Sequence, residues 1–324
     1  MTKQVTPIIN DSVGLTIVLF LLSSLVFATN FTVCVLVYLR KSMRTYTNGF
    51  VVSLAFSDLL IGTVLIPASL IFPDSSVVLG YLVSITLLSG VFNLTAVTFD
   101  RYIAVLKALQ YENFMRKNFT TMIFSSWLGA LVISLIPLTW GTDTTKLTHK
   151  IFVISELALC VLLPYVLIFT GYIKIFQQVK QSLKRERAIT ASVRKTLHQK
   201  NIISSEAKLA QVFIIVAVMF VLSWLPIQYM TIVYEIGRRD LIPDYLNIVS
   251  LFTVALGSLV NPIVYSFLKP DFRKSIRHIF RYRRKNIFGT SGTAARSGSS
   301  HLSATSSLKT RVTTNVKNAC GTRV

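Results

Sequence analysis

Asp58 stands inside an apolar run, Leu54-Ala55-Phe56-Ser57-Asp58-Leu59-Leu60. A carboxylate among such neighbours costs on the order of 3 kcal/mol at the centre of a bilayer, so it needs a partner, a cavity or a bound cation. It is either a polar tie between helices or a state-sensitive site for a proton or a sodium ion. Asp100-Arg101-Tyr102 closes a later apolar run. Two adjacent opposite charges there make an ionic latch, although an arginine at the end of a span also reaches water by itself. Glu206 sits in a basic segment just before another apolar run, either as a second partner for Arg101 or as a solvated carboxylate. Glu156 lies about 9 Å into a further run. It is a cation partner for a ligand or a glutamate snorkelling to the surface. The four His and three Cys form no metal-ligand cluster, and no nucleophile–base constellation is visible. Catalysis is therefore not expected; charge switching and ligand pairing are.

The elements that must hold these groups are long and apolar. Hydrophobic residues make up 52% of the 324 residues and charged ones 15%, where a soluble domain carries about a quarter. Mean hydropathy is +0.59. Apolar runs lie near 13–38, 48–71, 77–103, 119–140, 151–176, 209–235 and 245–268. A span needs about 20 apolar residues, since a helix rises 1.5 Å per residue through roughly 30 Å of hydrocarbon. Each run must be a helix, because lipid offers no partner to a free backbone amide. Phe72-Pro73-Asp74 separates the second and third runs. The first is too long for a signal-peptide core and reads as a retained span. The expected fold is an all-α membrane protein: a seven-transmembrane bundle over 13–268.

Charge orients it. With the N-terminus outside, every Lys and Arg except Lys3, Lys146, Lys150, Arg238 and Arg239 falls on the inner side, as the positive-inside rule requires. The net charge of +21 thus belongs to topology and anionic lipid heads rather than to nucleic acid. Residues 1–12 form a short extracellular tail with a glycosylation sequon at Asn10. Residues 177–208 read as extensions of the helices on either side. Over 269–282, Phe272, Ile276, Ile279 and Phe280 recur at helical spacing between basic residues, the pattern of an amphipathic surface helix. Residues 283–324 form a tail of disordered composition, rich in Ser, Thr and Gly from 289 onward.

Prolines and aromatics complete the pattern. Phe220 and Trp224-Leu225-Pro226 mark the sixth run, where a proline kinks the helix. Asn261-Pro262-Ile263-Val264-Tyr265 closes the seventh. With Asp58 and Asp100-Arg101-Tyr102 in order before them, the chain resembles the rhodopsin-like (class A) G-protein-coupled receptors over nearly all of 13–282. Trp127 matches that family's fourth-helix tryptophan, and Pro164 with Tyr172 its fifth-helix pattern. Ser223 stands in place of a usual cysteine.

The resemblance implies an activation switch of Asp58, Asp100, Arg101, Tyr102, Tyr172, Glu206, Phe220, Trp224, Pro226, Asn261, Pro262 and Tyr265. It implies a sodium set at Asp58, Ser258 and Asn261, but Gly90 and Gly257 occupy positions that often carry further polar ligands. It also implies a pocket in the outer half of helices three, five, six and seven. The candidates there are Val83, Ser84, Leu87, Glu156, Trp224, Gln228, Thr231 and Asn247. Amine receptors carry an aspartate where this chain has Val83, and opsins a lysine where it has Ala255. A standard monoamine mode and retinal attachment are therefore not expected. The family's usual outer disulfide is missing too, since the matching position is Ser76 and 141–150 lacks cysteine. The short loop fits a melanocortin-like pattern without that branch's acidic ligand cluster.

Implied partners are an extracellular ligand, a heterotrimeric G protein, arrestin and receptor kinases, at the plasma membrane. The tail serines and threonines are phosphorylation sites or plain linker. Thr322-Arg323-Val324 fits a carboxyl-terminal PDZ ligand. A ligandless, constitutively active receptor is the alternative within the class. A transporter is the alternative outside it; that would want ionisable residues along a through-path, and Asp58 alone lies deep.

Overall fold

The computed structural model describes residues 13–72, 76–190, 197–269, 271–275 and 277, the side chains of 182–183, 185–190 and 197–210 excepted. Among the described residues, seven helices are long and apolar enough to cross a membrane. They are α1 (Val13–Leu39), α2 (Tyr46–Ile71), α3 (Val77–Leu106) and α4 (Ala108–Leu135). α5 runs as Leu147–Glu156 and Leu163–Thr190, joined through a wider turn at Leu157–Leu162. α6 (Leu197–Glu235) and α7 (Leu246–Leu268) complete the bundle. The chain divides into Met1–Arg277, which holds these helices, and His278–Val324, which lies outside the described residues. Of the surface helix expected over 269–282, residues 271–275 and 277 are helical, 269 is not, and 270, 276 and 278–282 lie outside the described residues.

Helices begin earlier than hydropathy suggests. α4 starts at Ala108, eleven residues before the apolar run expected at 119. Its first turns (Gln110, Glu112, Asn113, Arg116) are polar, so a hydropathy reading skips them, yet a helix satisfies their amides as well. α5 likewise starts at Leu147.

The bundle closes on itself, with α1 against α2 and α7, α6 against α5 and α7, and α3 in contact with α2, α4, α5 and α6. α3 is the shared wall, so the residues it presents meet most of the molecule. The outer surface inverts the soluble pattern: Phe20, Leu21, Leu131 and Phe176 are exposed, as suits a lipid solvent.

α2 shows how backbone in such a solvent is satisfied. Its turn at Ile61–Leu65 is a π-turn, which disturbs the regular hydrogen-bond ladder. The Ser23 hydroxyl of α1 donates to the Gly62 carbonyl in that turn. Gly62 permits the approach, because a Cβ there would lie 3.1 Å from the Ser23 carbonyl oxygen.

The loop after α4 turns through two left-handed residues, Gly141 (φ 67°) and Thr142 (φ 56°). The Tyr81 hydroxyl of α3 bonds the Thr142 hydroxyl, so a hydrogen bond ties this loop to α3. Cys34 and Cys160 are free thiols. Asp143 in the loop accepts from the Thr145 hydroxyl and amide at 2.6 and 3.0 Å, which hold its carboxyl below the usual range.

Candidate functional site

Asp100 is the hub at one end of the bundle. It is fully buried, and its carboxylate collects donors from three helices. Oδ2 accepts from Arg101 Nε at 2.9 Å, Arg101 Nη2 at 2.7 Å and Thr47 Oγ1 at 2.9 Å. Oδ1 accepts from the Tyr111 hydroxyl at 2.7 Å. Arg101 Nη2 also donates to the Thr47 hydroxyl. Thr47 belongs to the first turn of α2 and Tyr111 to that of α4. Removing one member of a buried pair costs about 3–5 kcal/mol, because the other is left charged and dry. Tyr102 is half-buried and packs on the core. Glu206 falls among positions whose side chains lie outside the described residues.

A second polar layer crosses mid-bundle. Asp58 is buried, and its Oδ2 accepts from Asn261 Nδ2 of α7 at 2.8 Å. Pro262 has no amide hydrogen, so the carbonyl four residues earlier, Ser258 O, loses its helical partner. Asn30 Nδ2 of α1 supplies one at 3.2 Å and also donates to its own helix at Val26 O, 3.1 Å away. Pro226 disturbs α6 in the same way, and the Thr253 hydroxyl of α7 donates to the nearby Ser223 carbonyl at 2.9 Å. Tyr265 is fully buried on α7, and among the described residues its hydroxyl has no hydrogen-bond partner. Tyr172 of α5 accepts from the Thr98 hydroxyl at 3.4 Å.

The sodium set fits poorly. A Cβ at Gly90 would lie 2.6 Å from Phe220 Cε2, so an aromatic ring fills the notch on that side. A Cβ at Gly257 would meet Ser223. Asn261 turns a nitrogen toward Asp58, and an amide N–H is no cation ligand. Asp58 and Ser258 do not complete an oxygen shell by themselves.

Phe220 links this layer to the next. Its ring is 6.1 Å from that of Trp224 and 6.4 Å from that of Tyr165, edge-on to the latter. Trp224 is 1% exposed. The α6 aromatics thus rest on α3 at Gly90 and on α5 at Tyr165.

At the opposite end from Arg101, Ser84 Oγ donates to Glu156 Oε1 at 2.6 Å. Ser84 and Ser134 lie 2.7 Å apart. Ser84 has one hydrogen, already given to Glu156, so Ser134 is the donor between them. Val83 is half-buried and Leu87 buried beside Ser84. Gln228 Nε2 donates to the Tyr165 hydroxyl at 3.2 Å. Thr231 donates to its own helix at Ile227 O, 3.0 Å away, and the Asn247 carbonyl accepts from Ser250 at 2.6 Å. The bundle thus joins Glu156 to Ser84 directly. Among the described residues, no bond joins Gln228 or Thr231 to that pair.

Sequence reasoning missed Thr47, Tyr111, Ser134, Asn48 and Lys269. The first three are hydroxyls on other helices, and chain spacing carries no signal for them. Lys269 had one: a lysine directly after the apolar seventh run, before Pro270. It reads as one more charge of a basic face, but it is 2% exposed. A cavity of about 990 Å³ opens at the Arg101 end between α1, α2, α3 and α4, with Arg44, Arg101 and Lys269 in its lining.

The bundle and its two polar ends define a multi-pass membrane receptor. The model of the 7 transmembrane receptor (rhodopsin family) matches residues 29–265; the chain belongs to that family. It is a receptor of the kind that signals through G proteins, and not an enzyme. It is 27% identical to the histamine H2 receptor of Homo sapiens, covering 92% of this chain and 88% of that one. It is 24% identical to the adenosine receptor A2a of Homo sapiens, covering 91% and 79%. The crystal structure of squid rhodopsin superposes with a TM-score of 0.70 at 20% identity, over 83% of this chain and 85% of that one.

Proposed function

We propose that this receptor takes a small basic extracellular ligand at Glu156 and passes the signal to a heterotrimeric G protein through outward movement of the Arg101 end of α6. The observation that carries it is the Glu156–Ser84 pair. It is a half-buried carboxylate bonded to a neutral hydroxyl, so a ligand cation gains a full counter-charge there. Histamine H2 relatives, receptors for a small amine by name, agree with this class. Val83 stands where amine receptors place an aspartate, so the ammonium is held from α5 instead of α3.

A ligand at Ser84 and Glu156 bears on α3 and α5, the two walls on which Phe220 rests at Gly90 and Tyr165. Pro226 weakens α6 just beyond Trp224. The pivot lies between the ligand and the latch, and Arg101, released from Asp100, becomes a docking group. Tyr265 and Tyr172 then supply hydroxyls to the opened end. No sodium ion takes part, in keeping with the filled notch at Gly90. The N-terminus is extracellular and Asn10 glycosylated. The cytoplasmic tail is a substrate for receptor kinases and arrestin, and Thr322–Val324 binds a PDZ-domain protein.

The test is a second-messenger screen in cells against amines, nucleosides, lipids and peptides. Arg101→Ala serves as the control that abolishes every response. A response only to uncharged ligands, equal in Glu156→Gln, overturns the ligand class. Ligand-independent flux of a solute overturns the receptor reading.

A further inference from the structure

Lys269 follows α7 and is 2% exposed. A buried ammonium is held only where polar or aromatic groups replace its water. Its Nζ donates to Asn48 Oδ1 in the first turn of α2. Asn48 is itself fully buried and oriented, because its Nδ2 donates to the Met43 carbonyl at 2.7 Å. The ammonium also lies 5.5 Å from the centroid of Phe272 and 5.8 Å from that of Phe213. Asn48 and Phe272 belong to the frame around the end of α7. Phe213 belongs to α6, is fully buried, and meets Tyr265 at 6.1 Å. One face of the ammonium is thus fixed to α2, and another rests on the helix that must move.

We propose that Lys269 is a positioning residue that holds α6 closed through Phe213. The inference rests on the reading that α6 swings outward. A cation gains from an aromatic face, and the gain is larger where water is excluded. When Phe213 leaves, the ammonium loses that face while Asn48 keeps it in place. The closed state is therefore favoured by a contact the open state lacks. The Arg101 cluster makes other contacts, to Asp100 on α3 and Thr47 on α2.

The test uses purified full-length receptor in lipid nanodiscs with purified G protein, and reads basal nucleotide exchange per folded receptor. Lys269→Met keeps the apolar stem and removes the charge; Phe213→Leu removes the ring. Each is expected to raise exchange about thirtyfold, the shift that loss of one desolvated cation–π contact gives. The double variant is expected to go no further than either single. The conservative Lys269→Arg restores the resting level, which a merely space-filling role does not require. Unchanged exchange in Lys269→Met, or fully additive effects, overturns the latch. A second readout needs no G protein: the distance between spin labels at Glu112 and Gln211 in a cysteine-free chain. Lys269→Met should populate longer distances, and an unchanged distribution overturns the proposal. If Arg101→Ala leaves exchange untouched, the coupling reading fails, while the label distances still decide the latch.

Discussion

Asn30 on α1 donates its side-chain amide to the carbonyl of Ser258 on α7, at 3.2 Å, where Pro262 has taken away that carbonyl's own helical partner. One helix thereby repairs the backbone of another. The repair joins α1 to the segment that carries Asp58's partner Asn261, so the break in α7 is tolerated at bilayer depth.

Asn30→Ala leaves the Ser258 carbonyl buried and unsatisfied. Such a group costs about 1–3 kcal/mol. The thermal unfolding midpoint of the purified receptor should fall accordingly. A midpoint within error of wild type argues that Asn30 does not hold α7.

Tyr111→Phe removes one of the donors on Asp100 without disturbing packing. A hydrogen bond to a charged group contributes about 1.5–3 kcal/mol. If Asp100 holds Arg101 at rest, basal G-protein activation rises about tenfold. Equal basal activity at matched surface expression counts against the cluster as a latch.

Glu206→Gln asks whether α6 carries a partner for Arg101. Raised basal second-messenger production is the expected outcome. Unchanged production assigns Glu206 to the solvated basic segment.

Glu156→Gln keeps shape and removes charge. Potency of a basic agonist should fall about thirtyfold or more, as for loss of one buried charge partner. Ser84→Ala should fall less, because it removes only an orienting hydroxyl. Intact potency in Glu156→Gln rules out the carboxylate as the ligand's partner.

Gly90→Ser places a Cβ 2.6 Å from Phe220 Cε2. The ring has to shift, which costs about 1–3 kcal/mol of overpacking and should raise basal signalling. With wild type, replacing sodium by choline should leave the thermal midpoint unchanged. A rise in midpoint specific to sodium overturns the view that Phe220 fills the cation site.

Much of the fold was legible in the residues alone. Seven spans follow from run length against bilayer thickness, and the order of Asp58, Arg101, Trp224-Leu225-Pro226 and Asn261-Pro262 points to the family. The ends of helices were less so, as α4 shows: its first turns are polar and leave no hydropathy signal. Partners across helices left no trace. Tyr111 follows Asp100 by eleven residues, and nothing in that spacing brings its hydroxyl onto the carboxylate. The turn after Leu106 does that.

Residue type and run length already mark which segments lie in lipid and which costly groups they carry, because transfer from water depends on those two quantities. Which group satisfies which was settled by the contacts between helices. They gave Ser258's lost partner to Asn30, filled the notch at Gly90 with Phe220, and put Lys269 under cover beside Asn48 and Phe213. Those outcomes depend on which faces of separate helices meet, and packing in three dimensions sets that.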